Sequence, residues 1–439
     1  MFLRQGFRVK LIALVLVLAL IVPILAACGD NNEEKTATPA ATTPAATTPA
    51  ATKPAATTPA ATTPAATKPA VKSDKPVKIG VIIDYSGPAA MAGWLADGVI
   101  SFADWYWNEK QGGINVGGVK RPVEFLKYDT AGQVSTASAV TKKALLDGVS
   151  AVTMGGVSNQ FAYPIADVTD PGKVLYSTFL TEPQLFTDYK WAVSSFYNMM
   201  ARTELTAKLV VEKLKPKTVG ILCLQLETDR VQVDGVRKAI KALDPDVDVI
   251  SENYIPLDAK DFSPYLTKIK FANPDVLLVT LTGATAQAIA TQIMELGGWG
   301  DIQVVSVHEG TNDAIGKPGS EGWYAPAMYV SGYGSPAAVE FGKLWAEKCK
   351  EDPNWCKKYS PKGSDPLPNH PILYNSILIA IKAIEMAGTD DPAQVAEAGR
   401  SGKLELDTPL GYLKIGMNGA SNLTGFYGQY KGGKFVPLE

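Results

Sequence analysis

Between Val77 and Ser306, short apolar runs of strand length alternate with longer segments of helical period, and few folds accept that alternation. Val77–Ile83 reads as a strand and leads into a turn at Ser86-Gly87-Pro88. A helix is expected from about Ala92 to Lys110, stopped by Gly112-Gly113, because glycine is the usual residue just past a helix end. Val123–Asp129 reads as the second strand, Ala137–Asp147 as a helix and Ser150–Met154 as the third strand. Phe161–Asp167 is the next helix and Val174–Thr178 the next strand. The pattern restarts after Tyr197. Helices are expected over Arg202–Lys213, Gln232–Leu243, Phe262–Phe271 and Thr285–Leu296, with strands Thr218–Leu224, Val247–Tyr254, Val276–Thr280 and Gln303–Ser306 between and after them. Alternation of this kind calls for a parallel sheet with helices on both faces. Two such sheets in one chain predict an α/β protein of two Rossmann-like lobes with a cleft between them.

Open parallel sheets bind ligands beyond the carboxyl ends of their strands. That rule selects the loops Tyr85–Trp94, Gly155–Gln160, Thr178–Gln184, Glu227–Asp229, Thr280–Gly283 and His308–Thr311. In Gly155-Gly156-Val157-Ser158-Asn159-Gln160 the glycines permit close backbone approach, and Ser158 or Asn159 can cap the helix that follows. Free N–H groups there suit an anion such as a carboxylate; the other reading is an ordinary capped helix. No Gly-Lys-Ser/Thr ending follows, which argues against a phosphate loop.

The first residues are of another kind. Arg4, Arg8 and Lys10 precede an apolar run, Leu11 to Leu25, broken only by Pro23, and the order of basic start, apolar core and small residues is that of a secretory signal peptide. A retained membrane helix is the alternative, although such a helix usually needs about 20 apolar residues. The ending Leu25-Ala26-Ala27-Cys28 resembles a bacterial lipobox, which implies cleavage before Cys28 and a lipid on its sulfur. Residues 1–27 are thus assigned to the leader and 28–75 to a spacer that repeats Ala-Ala-Thr-Thr-Pro. This spacer has nothing large and apolar to bury, and its regular prolines favour an extended stalk. A proline-rich partner motif is the competing reading. A stalk would hold the folded part near a membrane partner at high effective concentration.

About 360 residues remain, more than one simple core holds and typical of two lobes. The net charge is -2, so nucleic acid is not an expected partner. The two histidines, His308 and His370, cannot build a multi-histidine metal site, and no metal or cofactor is expected. Cys349 and Cys356 lie in a short Pro/Lys-rich segment, where an oxidising compartment favours a local disulfide. Two ligands of a zinc site are the alternative, and no matching pair stands elsewhere. Cys223, inside the apolar run Val219 to Leu224, reads as an inert buried thiol.

Across residues 76 to 439 the sequence resembles the branched-chain amino-acid binding proteins (Leu/Ile/Val type) of ABC transporters, which have the type I periplasmic-binding fold. The resemblance rests on pieces standing in order. Val77-Lys78-Ile79-Gly80-Val81 comes first, then Ser86-Gly87-Pro88 and Trp107-Asn108-Glu109 with Gln111-Gly112-Gly113-Ile114. Lys215-Pro216-Lys217-Thr218-Val219, Asp261-Phe262-Ser263 with Leu266, Lys268 and Ile269, and Asn273-Pro274-Asp275-Val276 follow. The family implies a hinge of three segments, placed near Ser195, near Ala327 and near Leu410. Lobe one is then 76–195 plus 328–408, and lobe two 196–327 plus 409–439. It also implies an ABC permease as partner, and together with the lipobox-like ending at Cys28 the expected location is extracytoplasmic and lipid-anchored.

Carried over by position, the resemblance implies that Ser158 and Asn159 hold a ligand carboxylate, that Phe179 and Thr181 grip the ligand, and that Glu309 pairs with its ammonium. Glu309 read by itself is also compatible with a solvated loop carboxylate. Thr228 and Thr282 stand where family members often present tyrosines, and Ala92 stands where an aromatic commonly covers the ligand, with Trp94 two residues on. Trp94, Phe161, Tyr163 and Phe179 are candidates for an apolar pocket or for core packing. These departures leave an amide, a urea-like compound or another small carboxylate open beside an amino acid. Two other classes are weighed. A sensory receptor needs a spanning helix and a signalling domain, and neither is expected through Glu439. An enzyme needs a nucleophile elbow, metal cluster or cofactor loop, and none stands out.

Overall fold

The computed structural model describes residues 71–438 with the exception of residue 362. The leader, Cys28 and nearly all of the spacer lie outside the described residues. Two parallel sheets organise the chain. The first runs, in spatial order, Val123–Asp129, Val77–Ile83, Ala151–Met154, Leu175–Thr178 and Ala192–Ser194, with every neighbouring pair parallel. The second runs Asp248–Ile255, Thr218–Leu224, Val276–Thr280, Gln303–Ser306 and Tyr324–Ala327 in parallel, then adds Phe426–Lys431 and Lys434–Pro437 antiparallel. In both sheets the first strand in sequence lies between the second and the third, so each has a point where the strand order reverses.

The strand sequences follow from burial on both faces. Val77, Ile79, Val81 and Ile83 enter one core of the first lobe, and Ile82 enters the other. In the second lobe Leu222, Leu224, Leu277 and Val279 face one core, while Val219, Ile221, Cys223, Val276 and Leu278 face the opposite one. Central parallel strands covered by helices on both sides read as continuous apolar runs for this reason. Cys223 is fully buried, and burial pushes its thiol up to about 11. Several of the family-like pieces are scaffold. Asn108 exchanges two hydrogen bonds of 2.8 Å with the Val123 backbone, and the Asp275 carboxylate accepts from the N–H groups of Lys217 and Thr218 at 2.8 Å each.

Helix Ala90–Asp104 passes without a break into a π-helical turn, Trp105–Lys110. Helix Glu227–Leu243 begins ahead of the expected Gln232. Beyond Ser306 the first core is completed by helices Pro336–Glu351, Pro353–Tyr359 and Asn369–Ala387, the last apolar nearly all round and packed on Ala90–Asp104. A disulfide joins Cys349 to Cys356 across the first two of these helices.

Two expected boundaries move. Val71–Lys72 pairs in parallel with Val119–Lys120, so regular structure starts before residue 76. The third crossover is not near Leu410: Leu410, Leu413, Ile415 and Leu423 are buried in the first core, together with the hairpin of Glu405–Thr408 and Gly411–Lys414. The chain joins the second sheet only at Phe426, so residues 409–423 stay with the first lobe because their apolar side chains complete its core. The other two crossings lie after Ser194 and after Ala327, where a strand of one sheet ends; Tyr197 and Met199 still pack in the first core, and Met328 and Tyr329 enter it.

Candidate functional site between the lobes

The crossovers are tied to one another by polar contacts. Asn198 caps helix Met199–Lys208 by accepting from Met200 N and Ala201 N, while its own N–H donates to Leu423 O at 2.7 Å and its Nδ2 to Ser421 O at 3.2 Å. Ser195 Oγ meets Ser376 Oγ at 2.8 Å, which anchors the first crossing to the buried helix Asn369–Ala387.

Beside the crossing at Ala327–Val330 lies a cavity of about 600 Å3. Trp94, Leu95 and Ile372 wall it from the first lobe, and Glu309, Gly310 and Asn312 from the second. Small-molecule sites commonly have volumes of roughly 300–1,000 Å3. Another hollow of about 300 Å3, walled by Phe102, Tyr106, Phe341 and Tyr374, belongs to the first lobe and has none of the strand-end loops in its wall.

The residues expected at the site are distributed unevenly. Trp94 and Glu309 line the interlobe cavity from opposite lobes. Trp94 is half-buried and rests on Tyr359, with ring centroids 5.6 Å apart. Asn159 and Thr181 come together, since Thr181 N donates to Asn159 Oδ1 at 3.3 Å. Ser158 is half-buried beside them and makes no capping hydrogen bond. Phe179 is half-buried against both cores of the first lobe. Thr228 and Thr282 are exposed, with Thr282 next to Gly310, where an added Cβ would come 2.6 Å from its methyl carbon. Phe161 belongs to the core, 3% exposed, and Tyr163 packs on Tyr189. The glycines of the Gly155-Gly156 loop answer to packing inside the lobe: both have positive φ, and an added Cβ would strike the Tyr176 hydroxyl at 1.8 Å or the Phe161 ring at 2.5 Å.

Two residues at this site, Tyr197 and Arg202, carry no mark in the sequence, and a third, Asp229, is marked only as the end of a candidate loop. Tyr197 is buried in the first core and accepts from Gln232 Nε2 of the second lobe at 3.3 Å, so it links the two lobes. Burial pushes its phenol up to about 12, which keeps it a neutral donor. Arg202 is 2% exposed, and its Nη2 lies 2.8 Å from Glu309 Oε1, whose side chain is 25% exposed. The two groups are at ion-pair distance without hydrogen-bond alignment, and Oε1 itself is closed off from solvent. The exposed part of Glu309 is therefore the other oxygen and the methylenes. Burial works against the Arg202 charge, but Glu309 prevails and leaves the guanidinium more basic than usual. Asp229, also buried, has Oδ2 3.8 Å from His308 Nε2, beyond hydrogen-bond reach. His308 Nδ1 accepts from Gly310 N at 3.0 Å, so the imidazole proton sits on Nε2 and faces Asp229. An arginine in a helical pattern reads as a solvated face, and only the packing of the crossovers buries this one.

Residues 76–427 match the periplasmic binding protein family. The leucine-, isoleucine-, valine-, threonine- and alanine-binding protein of Pseudomonas aeruginosa is 27% identical over 361 residues, 77% of this chain and 85% of that protein. The branched-chain amino acid transporter substrate binding protein LivJ from Streptococcus pneumoniae, solved with isoleucine, is similar with a TM-score of 0.66 at 18% identity, over 83% of this chain and 99% of that one. A solute binding protein of an ABC transporter from R. palustris, solved with 4-hydroxybenzoate, has the same TM-score of 0.66 at 19% identity, over 83% and 96% of the two chains. The solved structures speak to the fold and the family match to most of the sequence. With two open sheets, three crossovers and a cavity between the lobes, the chain belongs to the periplasmic binding protein family.

Proposed function

We propose that this protein is the extracytoplasmic substrate-binding component of an ABC transporter and that it captures an amino acid, branched-chain or similar, between its lobes. The observation that carries the reading is the cavity wall, on which the Glu309 carboxylate of one lobe faces the apolar Trp94, Leu95 and Ile372 of the other. A zwitterion with an apolar side chain satisfies both walls: its ammonium goes to the carboxylate and its side chain to the indole. Ser158, Asn159 and Thr181 stand outside this cavity wall, and closure of the lobes would bring their hydroxyl and amide donors to the ligand carboxylate. Closure about the crossovers would bury these contacts, each charge-assisted hydrogen bond contributing about 1.5–3 kcal/mol once water is excluded. Lipid on Cys28 and the spacer behind it would keep the lobes beside the permease. The ligand leaves as it arrived, and the role is binding, as in the rest of the family.

A small carboxylate without an ammonium is the second reading. It is favoured by one observation, that Arg202 already holds Glu309. The test is a thermal-shift screen of the full-length chain against the twenty amino acids, their des-amino acids, small amides and aromatic carboxylates. A ligand that binds only the folded state raises Tm in proportion to ln(1 + [L]/Kd). Stabilisation by an amino acid supports the main reading. Stabilisation by carboxylates or amides alone replaces it with the second, and no stabilisation by any of them removes both.

A further inference from the structure

Arg202 stands on helix Met199–Lys208 of the second lobe, buried where the three crossovers meet. Each crossover supplies it a contact. The guanidinium lies over the Tyr197 ring, 4.3 Å from its centroid. Nε donates to the Thr424 carbonyl, and Nη2 approaches Met328 Sδ to 3.0 Å. Gly425 leaves room for the group, since an added Cβ would stand 2.8 Å from Nη2. The remaining contact is Glu309, at 2.8 Å.

The cleft carboxylate thus has a cation before any ligand arrives. A lone carboxylate on a closing cleft has to take its counter-ion from the ligand, because a buried unpaired charge is strongly unfavourable. A carboxylate neutralised from inside the lobe has no such demand. We propose that Arg202 is a specificity-determining residue, which lets the cleft close on small carboxylates with or without an ammonium group. The inference rests on the amino-acid reading of the cleft and sets how strictly that reading applies.

The experiment is isothermal titration of L-leucine and its des-amino analogue, 4-methylpentanoate, into the full-length protein and into Arg202→Met and Arg202→Lys. The wild type is expected to bind the two within about tenfold of each other, and Arg202→Lys, which keeps the charge, to hold that ratio. Arg202→Met is expected to move the ratio toward leucine by about tenfold or more, because Glu309 then has only the ligand to pair with. A purely structural arginine would shift both affinities together and leave the ratio alone. Should Arg202→Met fail to fold, Arg202→Met/Glu309→Gln, which carries neither charge, is expected to keep 4-methylpentanoate binding and to lose any preference for leucine; a retained preference overturns the inference. A wild-type preference for leucine beyond about a hundredfold, or an unchanged ratio in Arg202→Met, also overturns it while the amino-acid reading stands. If neither leucine nor any other amino acid binds the wild type, the amino-acid reading falls and the inference falls with it.

Discussion

Replacing Glu309 by glutamine would leave Arg202, 2% exposed, without its counter-ion. At their separation of 2.8 Å the two charges attract by roughly 6 kcal/mol at an effective dielectric constant of about 20, before the cost of desolvating them. Deleting one partner of a fully buried pair costs about 3–5 kcal/mol, mostly because the other charge is stranded. Glu309 is 25% exposed, and Arg202 keeps the Thr424 carbonyl and the Tyr197 ring, so the lower end applies, about 3 kcal/mol. The assay is ligand-free urea unfolding of wild type, Glu309→Gln, Arg202→Met and the double variant at constant salt. The double variant carries no stranded charge and should recover most of the loss, giving a coupling of about 2 kcal/mol or more between the two sites. A Glu309→Gln protein that unfolds at the wild-type midpoint would refute the reasoning, since Arg202 would then not depend on Glu309. The same loss means that ligand effects on Glu309 variants have to be measured against each variant's own ligand-free baseline.

Asn198→Ala removes a helix cap together with a bridge between the first and third crossovers, and should cost about 1–2 kcal/mol in chemical denaturation. Trp94→Ala strips the indole from the cavity wall and should weaken the binding of any cleft ligand by about tenfold or more in calorimetry, with a smaller effect on the ligand-free melt. Cys349→Ser/Cys356→Ser opens a loop of sequence separation 7 and should lower unfolding stability by about 2–3 kcal/mol, an effect that a reducing agent reproduces on the wild type. Asp390 is held down to about 2 from its ordinary 3.8, chiefly by the hydrogen bond from Arg121, with Lys75 helping. Because the folded value is the lower one, its contribution is present above pH 3.8 and drains away as pH falls to about 2; Asp390→Asn should flatten the stability–pH curve across that window.

Much of the framework was legible because central parallel strands are buried on both faces and announce themselves as apolar runs. Val77–Ile83, Thr218–Leu224, Val276–Thr280 and Gln303–Ser306 have the expected bounds, and so does the edge strand Val123–Asp129, whose Val123 and Tyr128 are buried between exposed charged residues. The edge strand Ala192–Ser194 is too short to show a period, and Phe426–Lys431 mixes aromatics with Gly428 and Gln429, so neither stands out from a loop. The displaced third crossover has a related cause. Leu410, Leu413 and Leu423 are spaced across a hairpin, and nothing local distinguishes apolar residues meant for one core from those meant for the other.

The sequence by itself determined the class of fold and many of the strand bounds, and it pointed to the strand ends beside which Trp94 and Glu309 line the cavity. These follow from local periodicity and from the rule that open sheets bind at the carboxyl ends of their strands. The tertiary structure alone decided which charges meet. Arg202 and Glu309 stand far apart in the chain and on different elements, and a helical arginine looks the same in sequence whether water or a counter-ion receives it. Three crossovers from distant parts of the chain close over Arg202, removing it from water and leaving Glu309 as the carboxylate paired with it.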